Sequence, residues 1–70
     1  MNVIAEVAGK VWKIEARPGA TLATDDVILI LESMKMEIPV EAERGGVVKE
    51  VRVKPDDQVQ DGDVLVVLEP

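Results

Sequence analysis

Val27-Ile28-Leu29-Ile30-Leu31 runs into Glu32-Ser33-Met34-Lys35-Met36-Glu37, which runs on into Ile38-Pro39-Val40-Glu41. An almost wholly apolar run enters, an alternating run leaves, and no room for a loop lies between them. That pattern reads as two β-strands joined by a tight hairpin with Lys35 at its tip. With Met34-Lys35 as the turn, Ser33 faces Met36, Glu32 faces Glu37 and Leu31 faces Ile38. The turn chemistry works against stability, because two-residue hairpin turns need positive φ and favour Asn-Gly, Asp-Gly or Gly-Gly. Strained backbone collects at functional positions. A locally disfavoured residue on a rigid finger makes Lys35 a candidate for chemistry.

Working outward, the chain repeats itself at a shift of 37 positions without a gap. Gly9 falls on Gly46, Val11 on Val48, Pro18 on Pro55, Asp26 on Asp63, Val27 on Val64, Leu31 on Leu68 and Glu32 on Glu69. Each copy holds an alternating strand (Val11 to Ala16; Val47 to Val53), a proline turn, a short stretch around Leu22 or Val59, a second turn, and an apolar strand. Arg17-Pro18-Gly19-Ala20 suits a type II turn and Lys54-Pro55-Asp56-Asp57 a type I turn. The second turns fall at Thr24-Asp25-Asp26 and Asp61-Gly62-Asp63, and the apolar strands run from Val27 to Leu31 and from Val64 to Leu68. Val3 to Val7 adds an edge strand, with Glu6 available to blunt it. Two copies of one β-unit bury their apolar faces against each other, giving a closed sandwich or flattened barrel with approximate two-fold symmetry. The hairpin joins the copies, which places Lys35 close to the pseudo-symmetry axis.

Composition narrows the function. Seventy residues make one domain, 1–70, near the lower limit for folding without staples. With no cysteine and no histidine, disulfides and the usual zinc constellations are excluded. The apolar fraction of 47% is valine-, isoleucine- and leucine-rich, with Trp12 as the lone aromatic, a bias towards strands. A net charge of −6 argues against nucleic acid and anionic membranes as partners. No run is long enough to span a bilayer and no signal peptide is visible, so a soluble, cytoplasmic location is expected.

A lysine serves as a base, a Schiff-base nucleophile, a phosphate clamp or a modification site. The first two need a neutral amine, produced by burial or a cationic neighbour; a tip flanked by Glu32 and Glu37 offers the opposite. Covalent modification by a separate enzyme is the best of the four readings. The glutamates, directly across strands, repel by some tenths of a kcal/mol. Stability gives no reason for that pairing, so partner recognition or compensation by Lys35 is one account, and screened exposure is the other. Met36 continues the alternation with Ile38 and Val40 and is expected to pack in the core. Met34 belongs to the turn and reads as a contact for a partner.

At this point the chain resembles the biotinyl carrier domains, within the biotin/lipoyl attachment family. Glu32-Ser33-Met34-Lys35-Met36 is similar to that family's Glu-Ala-Met-Lys-Met signature, whose lysine takes biotin through an amide. The resemblance covers essentially the whole chain, including Gly9, the Pro18-Gly19 turn, Gly45-Gly46 and Asp61-Gly62-Asp63-Val64-Leu65. It implies a barrel-sandwich hybrid, a flattened antiparallel barrel of two four-stranded sheets with the modified lysine on an exposed turn. Ser33 stands where the family usually has alanine. Val7-Ala8-Gly9 lacks the prolines that many relatives carry before that glycine. The gap-free repeat leaves no space for the protruding loop of some acetyl-CoA carboxylase carriers.

The resemblance implies a carrier, not an enzyme. A biotin protein ligase would attach biotin to Lys35, and Glu32, Ser33, Met34, Met36 and Glu37 would be read by the ligase or other partners. Carboxyl transfer would then run from a biotin carboxylase to a carboxyltransferase. The methionine pair favours biotin over lipoate; a lipoyl carrier modified at Lys35 is the nearest rival. A non-catalytic β-barrel interaction module is a rival of a different class.

Overall fold

The structure, a computed structural model, describes residues 1–69. Eight strands follow in order: β1 (Asn2–Ile4), β2 (Gly9–Ile14), β3 (Thr21–Leu22), β4 (Val27–Ser33), β5 (Met36–Glu41), β6 (Gly46–Val51), β7 (Gln58–Val59) and β8 (Val64–Glu69). They form two four-stranded antiparallel sheets, β1-β8-β6-β3 and β5-β4-β2-β7. No helix occurs among the described residues. The all-β, two-sheet architecture expected from the sequence is the one the chain adopts.

The repeat is carried by the fold in detail. Shifting by 37 positions turns the first sheet into the second, strand for strand. Each sheet therefore takes its two central strands from one copy and its two outer strands from the other. The copies exchange strands as well as stacking faces, and this interlocking lets so short a chain enclose a core. That core contains Val11, Ile28, Leu29 and Leu31 from the first copy and Val48, Val59, Leu65, Val66 and Leu68 from the second. Each such side chain contributes about 1.5–3 kcal/mol by leaving water.

Ile28 and Leu29 are neighbours, yet both are fully buried, and so are Leu65 and Val66. A regular strand would send one of each pair outward. The ladders slip at these points: β5 pairs with Val27 and Leu29 but skips Ile28, and β1 pairs with Val64 and Val66 but skips Leu65. The bulge turns the extra side chain inward. Matching slips skip Trp12 in β2 and Lys49 in β6.

Four expectations need correction. The alternating strands lie at Gly9–Ile14 and Gly46–Val51, starting and ending earlier than expected. Both end where the ladder loses register: the N–H groups of Glu15 and Ala16 converge on the Ile28 carbonyl, and Arg52 N–H donates to Leu65. The edge strand stops at Ile4, because Ala5 is buried and its backbone bonds to Asp63 and Gly62 in a turn.

The Lys54–Asp57 turn has Asp56 at φ 75°, the type II arrangement, where type I was expected. Its symmetry mate Gly19 has φ 88°, as the type II expectation required. The Lys54 N–H bonds the Asp57 carboxylate at 2.8 Å, closing the loop around a strained aspartate. Finally, the two-fold carries the Leu31↔Ile38 pair onto Leu68 and Met1, whose backbones bond each other. The hairpin tip therefore stands off the pseudo-symmetry axis, since a feature on the axis would map onto itself.

Candidate functional site

β4 and β5 meet in the register read from the sequence: Ser33↔Met36, Glu32↔Glu37 and Leu31↔Ile38. The two residues between them have φ of 52° at Met34 and 64° at Lys35. Left-handed geometry at both central positions is that of a type I′ turn, whose twist matches the flanking strands. It costs residues other than glycine about 1–2 kcal/mol each, and neither methionine nor lysine has a short polar side chain to offset it. The turn therefore holds Lys35 outward at a stability cost.

The surroundings of the tip are open. Met34 is 92% exposed and Met36 64%, and Lys35, Glu32 and Glu37 are exposed as well, with Ser33 half-buried. Met36 corrects the sequence reading, which placed it in the core. It does share a face with Ile38 and Val40, but those two are half-buried and Met36 is not. Burial along this face of β5 fades from Val40 and Ile38 to Met36 at the turn. Both methionines at the tip are thus available for contact.

Among the described residues, Lys35, Glu32 and Glu37 take part in none of the four ion pairs, which lie at Lys10–Asp56, Lys13–Glu15, Lys49–Glu69 and Arg52–Glu50. The cross-strand carboxylates face each other as expected, both solvated. No group of three His, Cys, Asp or Glu able to hold a metal occurs among the described residues. An exposed primary amine on a stiff turn is a good target for an external acyl donor.

Gly9, which the sequence marks by its alignment with Gly46 and its place in the family resemblance, supports the root of the hairpin. A Cβ at this position would lie 2.8 Å from the Glu32 carbonyl oxygen and 3.4 Å from the Ser33 Cβ. β2 therefore packs backbone to backbone against the last residues before the turn. Its mate Gly46 approaches the Glu69 carbonyl in the same way, and a Cβ there would lie 2.5 Å from that oxygen. The signal in the sequence was the alignment of Gly9 with Gly46; its cause, a close approach to Glu32, lies in the tertiary structure.

Comparison with known proteins places this fold and hairpin in a family. The family model described as "Biotin-requiring enzyme", covering biotin and lipoyl domains, matches residues 1–68. The chain belongs to this biotin/lipoyl family and is a small attachment domain, homologous to carrier domains. It is 47% identical over 68 residues to a biotin/lipoyl attachment protein of Bacillus subtilis, covering 97% of this chain and 93% of that one. It is 40% identical over 67 residues to the "Biotinylated protein TB7.3 homolog" of Mycobacterium leprae, covering 96% and 94%. Among solved structures, urea carboxylase of Kluyveromyces lactis superposes with a TM-score of 0.92 at 32% identity, over 99% of this chain and 6% of that much longer one.

Proposed function

We propose that the chain, residues 1–70, is a single biotinyl domain that acts as a carboxyl carrier, with Lys35 as the residue that takes biotin. The observation that carries this reading is the type I′ turn that holds the Lys35 amine out on a rigid hairpin, with φ 52° and 64° at residues that do not favour it. The exposed tip fits a covalent group, since the amide needs only the amine and an activated carboxyl brought by a biotin protein ligase. The Lys35 nitrogen would displace the activating group and lose a proton to the ligase or to solvent. Bound there, biotin would carry a carboxyl group between a biotin carboxylase and a carboxyltransferase. This chain's own part is reach, rigidity and high local concentration. Glu32, Ser33, Met34, Met36 and Glu37 form the exposed or half-exposed surround that such partners would read. The likeness to a urea carboxylase over 99% of this chain supports a place in a carboxylase system, and the setting we assign to it is cytoplasmic.

Lipoate is the second reading, favoured by the name of the Bacillus subtilis relative, which covers both groups. Intact mass of protein isolated from its native host distinguishes them. The biotin reading predicts one biotinyl increment on the wild type and none on Lys35→Arg. A lipoyl increment alone, or an unmodified wild type, overturns it.

A further inference from the structure

A groove of about 530 Å³ opens between β1 and β5, the outer strands of the two sheets. Its apolar lining includes the buried Leu31 and Val3 and the more exposed Ile4, Val7 and Ile38. Its rim carries Glu6, Asp25, Glu41 and Glu43, and no lysine or arginine side chain lines it among the described residues. None of these four carboxylates joins an ion pair among the described residues. Outside the groove, Glu15, Glu50, Asp56 and Glu69 have cationic partners, while Asp26, Glu32, Glu37, Asp57, Asp61 and Asp63 join none of the four ion pairs among the described residues. Four carboxylates thus meet beside this opening, and among its described lining residues the one cation is the N-terminal ammonium of Met1, which is held by the Leu68 carbonyl at 2.7 Å.

We propose that this groove takes an extended, cationic segment of a partner protein, with alternate apolar side chains on its floor and Arg or Lys side chains against the rim. Charge complementarity selects this occupant. A second copy of the chain would set four carboxylates against four. Pro39 lacks an N–H in the middle of β5, and β1 is only three residues long, so strand-on-strand pairing finds few backbone partners. Nucleic acids and anionic membranes carry the wrong sign. An extended segment matches a trough bounded by two strand edges, and its alternating side chains satisfy floor and rim at once. The groove begins at the Leu31↔Ile38 pair, the third below the turn, roughly 10 Å from the tip at ~3.3 Å per residue. A partner seated here is anchored close to Lys35 without touching it.

The test is an NMR titration of the isotopically labelled full chain with a capped Arg-Val-Arg-Val-Arg-Val peptide, using Glu-Val-Glu-Val-Glu-Val as the acidic control. The expected result is a set of saturable shifts confined to amides of β1, β5 and the Ala42-Glu43 segment, seen with the basic peptide alone. Glu41→Gln with Glu43→Gln should weaken binding by about tenfold or more. The charge-matched pair Glu15→Gln with Glu50→Gln, away from the groove, should leave it unchanged at physiological salt, where screening removes remote charges. Lys35→Arg should bind as the wild type does, so the outcome is independent of what the lysine carries. No shifts at up to about 1 mM peptide, shifts spread over the whole acidic surface, or equal weakening by both glutamine pairs would each overturn the proposal.

Discussion

Replacing Met34-Lys35 by Asn-Gly should make this protein more stable while deleting its most distinctive residue. Both positions are left-handed, at φ 52° and 64°, a conformation that costs ordinary residues about 1–2 kcal/mol each. Asparagine and glycine are the residues that type I′ turns favour, so most of that cost is relieved. Glycine returns about 0.5–1 kcal/mol through the extra freedom of the unfolded chain. Nothing else is lost: Met34 is 92% exposed, Lys35 is exposed, and neither takes part in an ion pair among the described residues. The balance is a gain of about 1–2 kcal/mol, equivalent to a rise in Tm of roughly 5–15 °C for a domain of this size. Thermal and urea unfolding followed by circular dichroism measure it, with an unchanged urea slope as the sign that only stability has moved. A variant no more stable than the wild type would refute the reasoning that the tip is held at a cost.

Two further outcomes follow from the geometry. Gly9→Ala and Gly46→Ala should each cost about 1–3 kcal/mol in urea unfolding, because each new Cβ presses on a carbonyl oxygen; of the two, Gly9→Ala alone should also slow modification of Lys35 in a ligase assay, since Glu32 roots the hairpin. Glu37→Gln should raise stability by some tenths of a kcal/mol at low salt by removing repulsion from Glu32, and the difference should vanish in thermal melts at about 1 M salt, where the screening length falls to about 3 Å.

The hairpin was legible in the sequence because everything that defines it is local. The apolar run, the alternating run and the absence of spare residues between them fix the turn and with it the cross-strand pairs. The type II turn at Pro18-Gly19 was legible for the same reason. Its mate was not: aspartate at position 56 tolerates positive φ but marks it less strongly than glycine does, so the pattern also fitted a type I turn. Met36 was misplaced because alternation assigns a face and not the depth of cover over that face.

The sequence by itself determined that two copies of one β-unit would pair, that Met34-Lys35 would turn between them, and which residues would face each other across that turn. These follow from period-two patterning and turn stereochemistry, which act between residues close along the chain. The tertiary structure alone decided that the copies exchange outer strands, that slipped ladders bury Ile28 beside Leu29, that Gly9 abuts Glu32, and that an acid-rimmed groove opens between β1 and β5. Each of these depends on segments distant in sequence meeting at a particular spacing, and that spacing is set by how the two sheets close on their shared core.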